Sequence, residues 1–251
     1  QNLKSSSRNK GNIVIMAGGT GGHIFPGLAV AKALEEQGYN IYWLGAYGLE
    51  RKLVPSRGIP LLSLNIKGLR GNGLKGWLTL PFKLGEAVMR AMTFLREVKP
   101  KCVVGFGGFA AAPGGIAARL LNIPIVIHEQ NAEPGLVNRF LSRLSKRNLA
   151  AFNNKLPRSI VVGNPVRQEL LELEVFTQRY AKREGEPLHI LVLGGSQGAK
   201  AINELMEQFS VTEAAANCQI WHQCGESFYQ EKHQAGAFQK ENYHLTPFID
   251  A

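Results

Sequence analysis

Aspartate is almost missing from this chain: of 251 residues only Asp250 is one. That argues against a transferase gripping Mg²⁺ between paired aspartates. Negative charge on a substrate or leaving group must instead be met by backbone N–H groups, helix dipoles, Arg or Lys. Cysteine is scarce too. Cys102, Cys218 and Cys224 are odd in number and lack metal-ligand spacing, so reduced thiols are expected, with Cys102 in the core of a strand. No run of about twenty apolar residues occurs, and the polar start Gln1 to Lys10 has no signal-peptide character, which points to a soluble, cytosolic protein. No G-x-x-x-x-G-K-[ST] is present, so no P-loop is expected. A dinucleotide fingerprint is also missing: Ile24 takes the last glycine position of the first glycine-rich turn, and no acidic residue closes the strand Ile41 to Leu44.

Glycine is plentiful, and three times a short apolar strand runs into a glycine-rich turn: Gly18-Gly19-Thr20-Gly21-Gly22-His23, Gly105-Phe106-Gly107-Gly108 and Gly194-Gly195-Ser196-Gln197-Gly198. Such turns bring backbone N–H groups at a helix N-terminus close to a phosphate, and the helix dipole favours the negative charge, so diphosphate ligands are suggested. The formal charge of +10 fits anionic substrates, an anionic membrane surface or nucleic acid equally well. Part of it, Lys4, Arg8 and Lys10, lies in a Ser-rich segment, residues 1–10, read as a flexible tail.

Strand-like runs alternate with helical ones: Ile13–Ala17 then Pro26–Gln37, Ile41–Leu44, Leu61–Leu64 then Leu78–Val98, Cys102–Val104 then Pro113–Leu121, and Ile125–His128. Continuous apolar strands between helices predict a parallel sheet wrapped on both faces. Pro26 and Gly38 mark a helix start and stop. The pattern pauses at Gly163-Asn164-Pro165-Val166-Arg167 and resumes with Leu188–Leu193, Gln219–Gln223, Ser227–Ala235 and Tyr243–Phe248. Residues 11–163 are therefore read as one domain, 164–187 as a linker and 188–251 as the start of a second. Three strands are too few for a complete doubly wound domain, so the second is expected to be truncated at its C-terminal side.

His23, just past the first glycine turn, would sit in the first turn of a helix, where the dipole disfavours the imidazolium. A neutral ring there can take a proton from an attacking hydroxyl while the loop holds an anionic group. The plain alternative is a histidine that caps the helix. His128-Glu129-Gln130-Asn131 falls at the carboxyl end of a strand, where open α/β sheets bind ligands. These residues either hydrogen-bond a sugar or cap neighbouring backbone.

Taken together, Gly18–Gly27, Gly68-Leu69-Arg70-Gly71, Gly105–Gly108, His128–Asn131, Gly163–Arg167 and Gly194–Ala199 resemble the MurG family, bacterial glycosyltransferases of peptidoglycan synthesis. The match runs in order from about Gly11 to Asp250. The resemblance implies a GT-B architecture, two Rossmann-like doubly wound parallel-sheet domains with a cleft between, and metal-independent, inverting transfer without a cofactor. UDP-N-acetylglucosamine would be the donor, lipid I the acceptor through the 4-hydroxyl of its MurNAc-pentapeptide, and lipid II the product. It implies donor contacts from Thr20, Gly21, Gly22, Asn131, Arg167, Ser196 and Ile249. Acceptor diphosphate contacts would come from Gly18, Gly19, Gly105, Gly107 and Gly108, with His23 as the base. Apart from the resemblance, Glu129 in the strand-end motif is a further catalytic candidate. Arg167 could otherwise be a surface charge on the linker. A peripheral place on the cytoplasmic face of the inner membrane follows, with cell-wall synthesis proteins as partners. The family pattern continues past Ala251 through a Ser/Glu-containing donor-binding helix, so weak or absent UDP-sugar binding is expected of residues 1–251 alone.

Between Lys67 and Lys83, apolar Leu74, Trp77, Leu78 and Phe82 interleave with cations that include Lys75 and Lys83. By itself this stripe would face the core. A lipid-anchored acceptor favours an interfacial site on anionic lipid instead. Two rivals stand beside this assignment: another GT-B enzyme acting on a glycolipid, and a basic nucleic-acid-binding protein, the latter supported by charge alone.

Overall fold

In a computed structural model, residues 9–65, 73–183, 185–195, 198–234 and 240–249 are described, with side chains in the helix at 73–98 from residue 81 onward. The expectations placed on Ser196 and on the side chains of Leu74, Lys75, Trp77 and Leu78 lie outside these residues. The chain divides into two compact units, Gln1–Glu172 and Leu173–Ala251.

The first unit runs β1 (Asn12–Ala17), α1 (Gly21–Glu36), β2 (Asn40–Gly45), α2 (Glu50–Leu53), β3 (Leu61–Ser63), α3 (Gly73–Val98), β4 (Cys102–Gly107), α4 (Ala111–Leu120), β5 (Ile125–Glu129), α5 (Leu136–Leu141), β6 (Arg147–Ala150), β7 (Ser159–Val161) and α6 (Gln168–Leu171). Its seven described strands form one parallel sheet in the order β3-β2-β1-β4-β5-β6-β7. β1 shows why the strands read as unbroken apolar runs. Val14 and Met16 enter one core cluster with residues of α3 and α4, while Ile13, Ile15 and Ala17 enter another with residues of α1 and Trp43. A strand buried on both faces has no polar side to alternate with. The chain leaves β1 towards β2 on one side and returns through β4 on the other. The order therefore reverses between β1 and β4, the kind of switch point at which such sheets bind ligands.

Helix α1 begins at Gly21, five residues before the predicted start, and Pro26 lies inside it. The glycines thus form the first turn itself, and Gly38, at φ +91°, closes the helix as expected. β6 and β7 were not predicted. β6 carries Arg147 and Asn148 in place of an apolar run, and β7 is only three residues long.

The second unit contains α7 (Phe176–Ala181), β8 (Leu188–Leu193), α8 (Lys200–Phe209), α9 (Glu213–Ala216), β9 (Cys218–Gln223), α10 (Glu226–Gln234) and β10 (Tyr243–Thr246). Its three described strands are parallel in the order β10-β9-β8. One face packs Ile190, Val192, Ile220 and Tyr243 against Met206 and Ala215. The other leaves Leu191, Leu193 and Trp221 exposed.

Candidate active site

The loops after β1 and β4 meet at the switch point. Gly108, at φ +84°, passes so close to the Gly18 carbonyl that a Cβ there would overlap it, and a Cβ on Gly107 would stand 3.0 Å from the His23 ring. Gly18 and Gly107 are buried, while Gly19, Thr20 and Gly22 are exposed on the rim. Gly105 does not reach this loop: it lies within β4, where a Cβ would meet Met16 and Ile127. Thr20 is the N-cap of α1 but makes no side-chain capping bond. The His23 and Ile24 N–H groups donate to the Thr20 carbonyl at 3.1 and 3.2 Å, and those of Gly21 and Gly22 precede any intrahelical acceptor. The site therefore presents free N–H groups at the positive end of a helix, next to a half-buried imidazole at the third residue of α1.

The end of β5 and the turn after it, His128–Asn131, reach the same place. His23 Nδ1 and Gln130 Oε1 are 3.2 Å apart. Gln130 Nε2 lies 3.3 Å from His128 Nδ1 and donates to the His128 carbonyl at 3.1 Å. His128 is buried, with Nε2 2.9 Å from the Gly163 carbonyl oxygen. Burial holds its imidazole below the ordinary range, against weaker upward pulls from that carbonyl and from Glu129. The carboxylate of Glu129 is fully enclosed and accepts four bonds. Asn131 N–H and Nδ2 donate to Oε1, each at 3.0 Å, and Gly135 N–H and Asn138 Nδ2 donate to Oε2 at 3.1 and 2.9 Å. With every donor already placed, Glu129 shapes the loop that carries Gln130 and Asn131. Arg167, the N-cap of α6, stands 5.3 Å from the Phe25 ring centroid, and Lys32 approaches Glu169 at 3.9 Å, so the segment after β7 is tied to α1.

Two further groups were not singled out in the sequence. Glu50, fully buried, accepts from Gly19 N–H at 3.1 Å and Ala46 N–H at 2.7 Å and so holds the first glycine loop from below. Asn138, also buried, donates to the His128 carbonyl at 3.3 Å, and its Oδ1 has no partner. Neither has a local signal: Glu50 lies 31 residues from Gly19 and Asn138 sits in a short helix without apolar periodicity.

In the second unit the loop after β8 is built alike. A Cβ on Gly198, at φ +76°, would overlap the Cys224 carbonyl. Asn203 Nδ2 donates to that carbonyl at 2.9 Å, and its Oδ1 faces His222 Nε2 at 3.1 Å. Gln223 Nε2 donates to the carbonyls of Gly195 and Pro247 at 2.9 and 2.8 Å, joining the loop after β8 to the segment that leads to half-buried Ile249. Burial lowers the His222 imidazole, and it raises the Tyr243 hydroxyl and the Cys224 thiol, the latter to about 11.

Residues 13–149 match the glycosyltransferase family 28 N-terminal domain and residues 189–251 the family's C-terminal domain. The chain belongs to glycosyltransferase family 28. A Cellvibrio japonicus relative, a UDP-N-acetylglucosamine–N-acetylmuramyl-(pentapeptide) pyrophosphoryl-undecaprenol N-acetylglucosamine transferase, is 46% identical over 246 residues, covering 95% of this chain and 68% of the relative. The crystal structure of Acinetobacter baumannii MurG superimposes with a TM-score of 0.69 at 40% identity, over 96% of this chain and 69% of that one. A Neisseria meningitidis UDP-GlcNAc 2-epimerase also superimposes, with a TM-score of 0.60 over 96% of this chain and 73% of that one. At 16% identity that likeness speaks for the fold alone. Family 28 membership gives the basic charge a context in sugar transfer, and no feature of the described residues calls for nucleic acid.

Proposed function

We propose that this family 28 chain transfers N-acetylglucosamine from UDP-N-acetylglucosamine to the 4-hydroxyl of the MurNAc-pentapeptide of lipid I, giving lipid II. The observation that carries the proposal is the meeting of His23 with Gly107 and Gln130, beside the close approach of Gly108 to Gly18, at the switch point of the first sheet. A base and an anion cradle share one loop there, and transfer from a nucleotide diphosphate to a diphosphate-linked acceptor needs both. In this reading the hydroxyl proton passes to His23. The oxygen attacks the anomeric carbon as its bond to the diphosphate breaks, and UDP leaves with the electron pair. Gly18, Gly19, Gly107 and Gly108 face the acceptor diphosphate. Thr20, Gly21, Gly22, Asn131, Arg167, Ser196 and Ile249 contact the donor, and Glu129 positions the loop.

The acceptor's lipid places the enzyme at the cytoplasmic face of the inner membrane, where it would meet other cell-wall synthesis proteins. No helix among the described residues is long and apolar enough to cross a membrane. Docking is assigned to the start of α3, through Leu74, Lys75, Trp77, Leu78, Phe82 and Lys83. Phe82 is 82% exposed and Lys83 is exposed beside it. The test is transfer of radiolabelled N-acetylglucosamine from UDP to a lipid I analogue by the protein that carries this sequence. His23→Ala should lower kcat by about 10²–10⁴-fold with lipid I binding retained. Absence of transfer by the unaltered protein, or an unchanged kcat in the variant, would refute the proposal.

A further inference from the structure

The bonding around His23 specifies which of its nitrogens carries the proton. His128 Nε2 faces the Gly163 carbonyl oxygen at 2.9 Å. A carbonyl only accepts, so Nε2 donates, and the buried, neutral ring keeps its lone pair on Nδ1. The Gln130 amide is oriented by the same reasoning. Its nitrogen lies 3.1 Å from the His128 carbonyl oxygen and 3.3 Å from His128 Nδ1, both acceptors, which turns the amide oxygen towards His23 Nδ1 at 3.2 Å. An amide oxygen only accepts as well, so Nδ1 of His23 carries the hydrogen and Nε2 of the neutral ring keeps the lone pair.

We propose that Gln130, itself held by His128, is a positioning residue that fixes His23 in the Nδ1–H tautomer and so makes Nε2 the nitrogen that removes the acceptor's proton. The identity of that acceptor rests on the glycosyl-transfer function proposed above; the tautomer does not. In the step itself the hydroxyl O–H bond breaks and its proton joins Nε2. The resulting imidazolium keeps its Nδ1–H bond to Gln130. The amide cannot take up that proton, so Gln130 orients the ring without relaying charge. A carboxylate at this position would also orient the ring but would favour the imidazolium by its charge. The opposite tautomer would point an N–H at the hydroxyl and could accept nothing from it. The ionisable groups on the elements packed around the ring are His128 and Glu129 on β5, Glu50 beneath Gly19, and Arg167 over Phe25.

Long-range proton–nitrogen NMR correlation of ¹⁵N-labelled protein tests this without substrate. The unaltered protein should show His23 as Nδ1–H. Gln130→Leu should move it towards Nε2–H and lower kcat on the order of 10²-fold, while His222 in the second unit keeps its own pattern as a control for folding. Gln130→Glu should restore the Nδ1–H form and move the acidic limb of the kcat/KM pH profile to higher pH. An Nε2–H form in the unaltered protein, or a tautomer indifferent to Gln130→Leu, would overturn the proposal. If the leucine variant does not fold, an unmoved acidic limb in Gln130→Glu overturns it instead. An Nδ1–H ring in a protein without transferase activity would count against the transfer function alone; transfer by a protein with an Nε2–H ring would count against the tautomer alone.

Discussion

Glu129 accepts four hydrogen bonds from donors that follow it in the chain, and none of its oxygens is open to solvent. Replacing one oxygen by an NH₂ group turns two attractive contacts into donor–donor encounters in a site closed to water. Glu129→Gln should therefore cost about 2–3 kcal/mol of stability, read from urea unfolding of the first unit. It should also loosen the loop that presents Gln130 and Asn131. In the sequence this glutamate stood beside His23 as a catalytic candidate, because residue type and strand-end position were all that could be seen. Its four donors come into reach only when the loop folds back over β5. Glu50 makes the same point more strongly. Its carboxylate holds Ala46, four residues before it, but also Gly19, 31 residues away, and that second contact has no trace in the local sequence.

Among the secondary-structure elements, the loops after β1 and β4 work as a pair, since Gly108 passes against the Gly18 carbonyl. Gly108→Ala adds a Cβ that has no room and forces alanine to φ +84°. It should cost about 1–3 kcal/mol from the backbone alone and lower transfer with it, as measured by thermal unfolding and by the radiolabel assay. At the start of α3 the expected outcome differs. Phe82 is 82% exposed, so Phe82→Ser should leave stability within about 0.5 kcal/mol while reducing sedimentation with liposomes of anionic lipid. Unchanged sedimentation would remove Phe82 from the docking surface. The strands that could be read in the sequence were those with an apolar run, β1 to β5 and β8 to β10. β6, with Arg147 and Asn148, and β7, only three residues long, owe their place to pairing with β5 and with each other.

At the scale of the whole molecule, each unit buries a histidine whose imidazole burial pushes down, His128 in the first and His222 in the second. The unfolded chain takes up protons on these rings near pH 6.5, before the folded units do. Stability is therefore full above about pH 6.5 and falls as pH drops below it, until the lowered native values are passed. Each ring contributes a slope no steeper than about 1.4 kcal/mol per pH unit. Urea midpoints at pH 7.5, 6.5 and 5.5 should decline in that order for both units, and a midpoint that rises on acidification would contradict the burial argument. Local pattern alone determined a good deal of this protein. Apolar runs, glycine turns and their order along the chain specify parallel α/β units, and the near-absence of aspartate narrows the chemistry, because period and composition are properties of neighbouring residues. The contents of the site were decided by sheet order. It sets β4 beside β1 and β5 beside β4, and so brings Gln130 to a histidine 107 positions earlier in the chain. Hydrogen-bond partners that far apart leave no periodic trace, and which nitrogen of His23 is free is settled by carbonyl groups that only folding brings into contact.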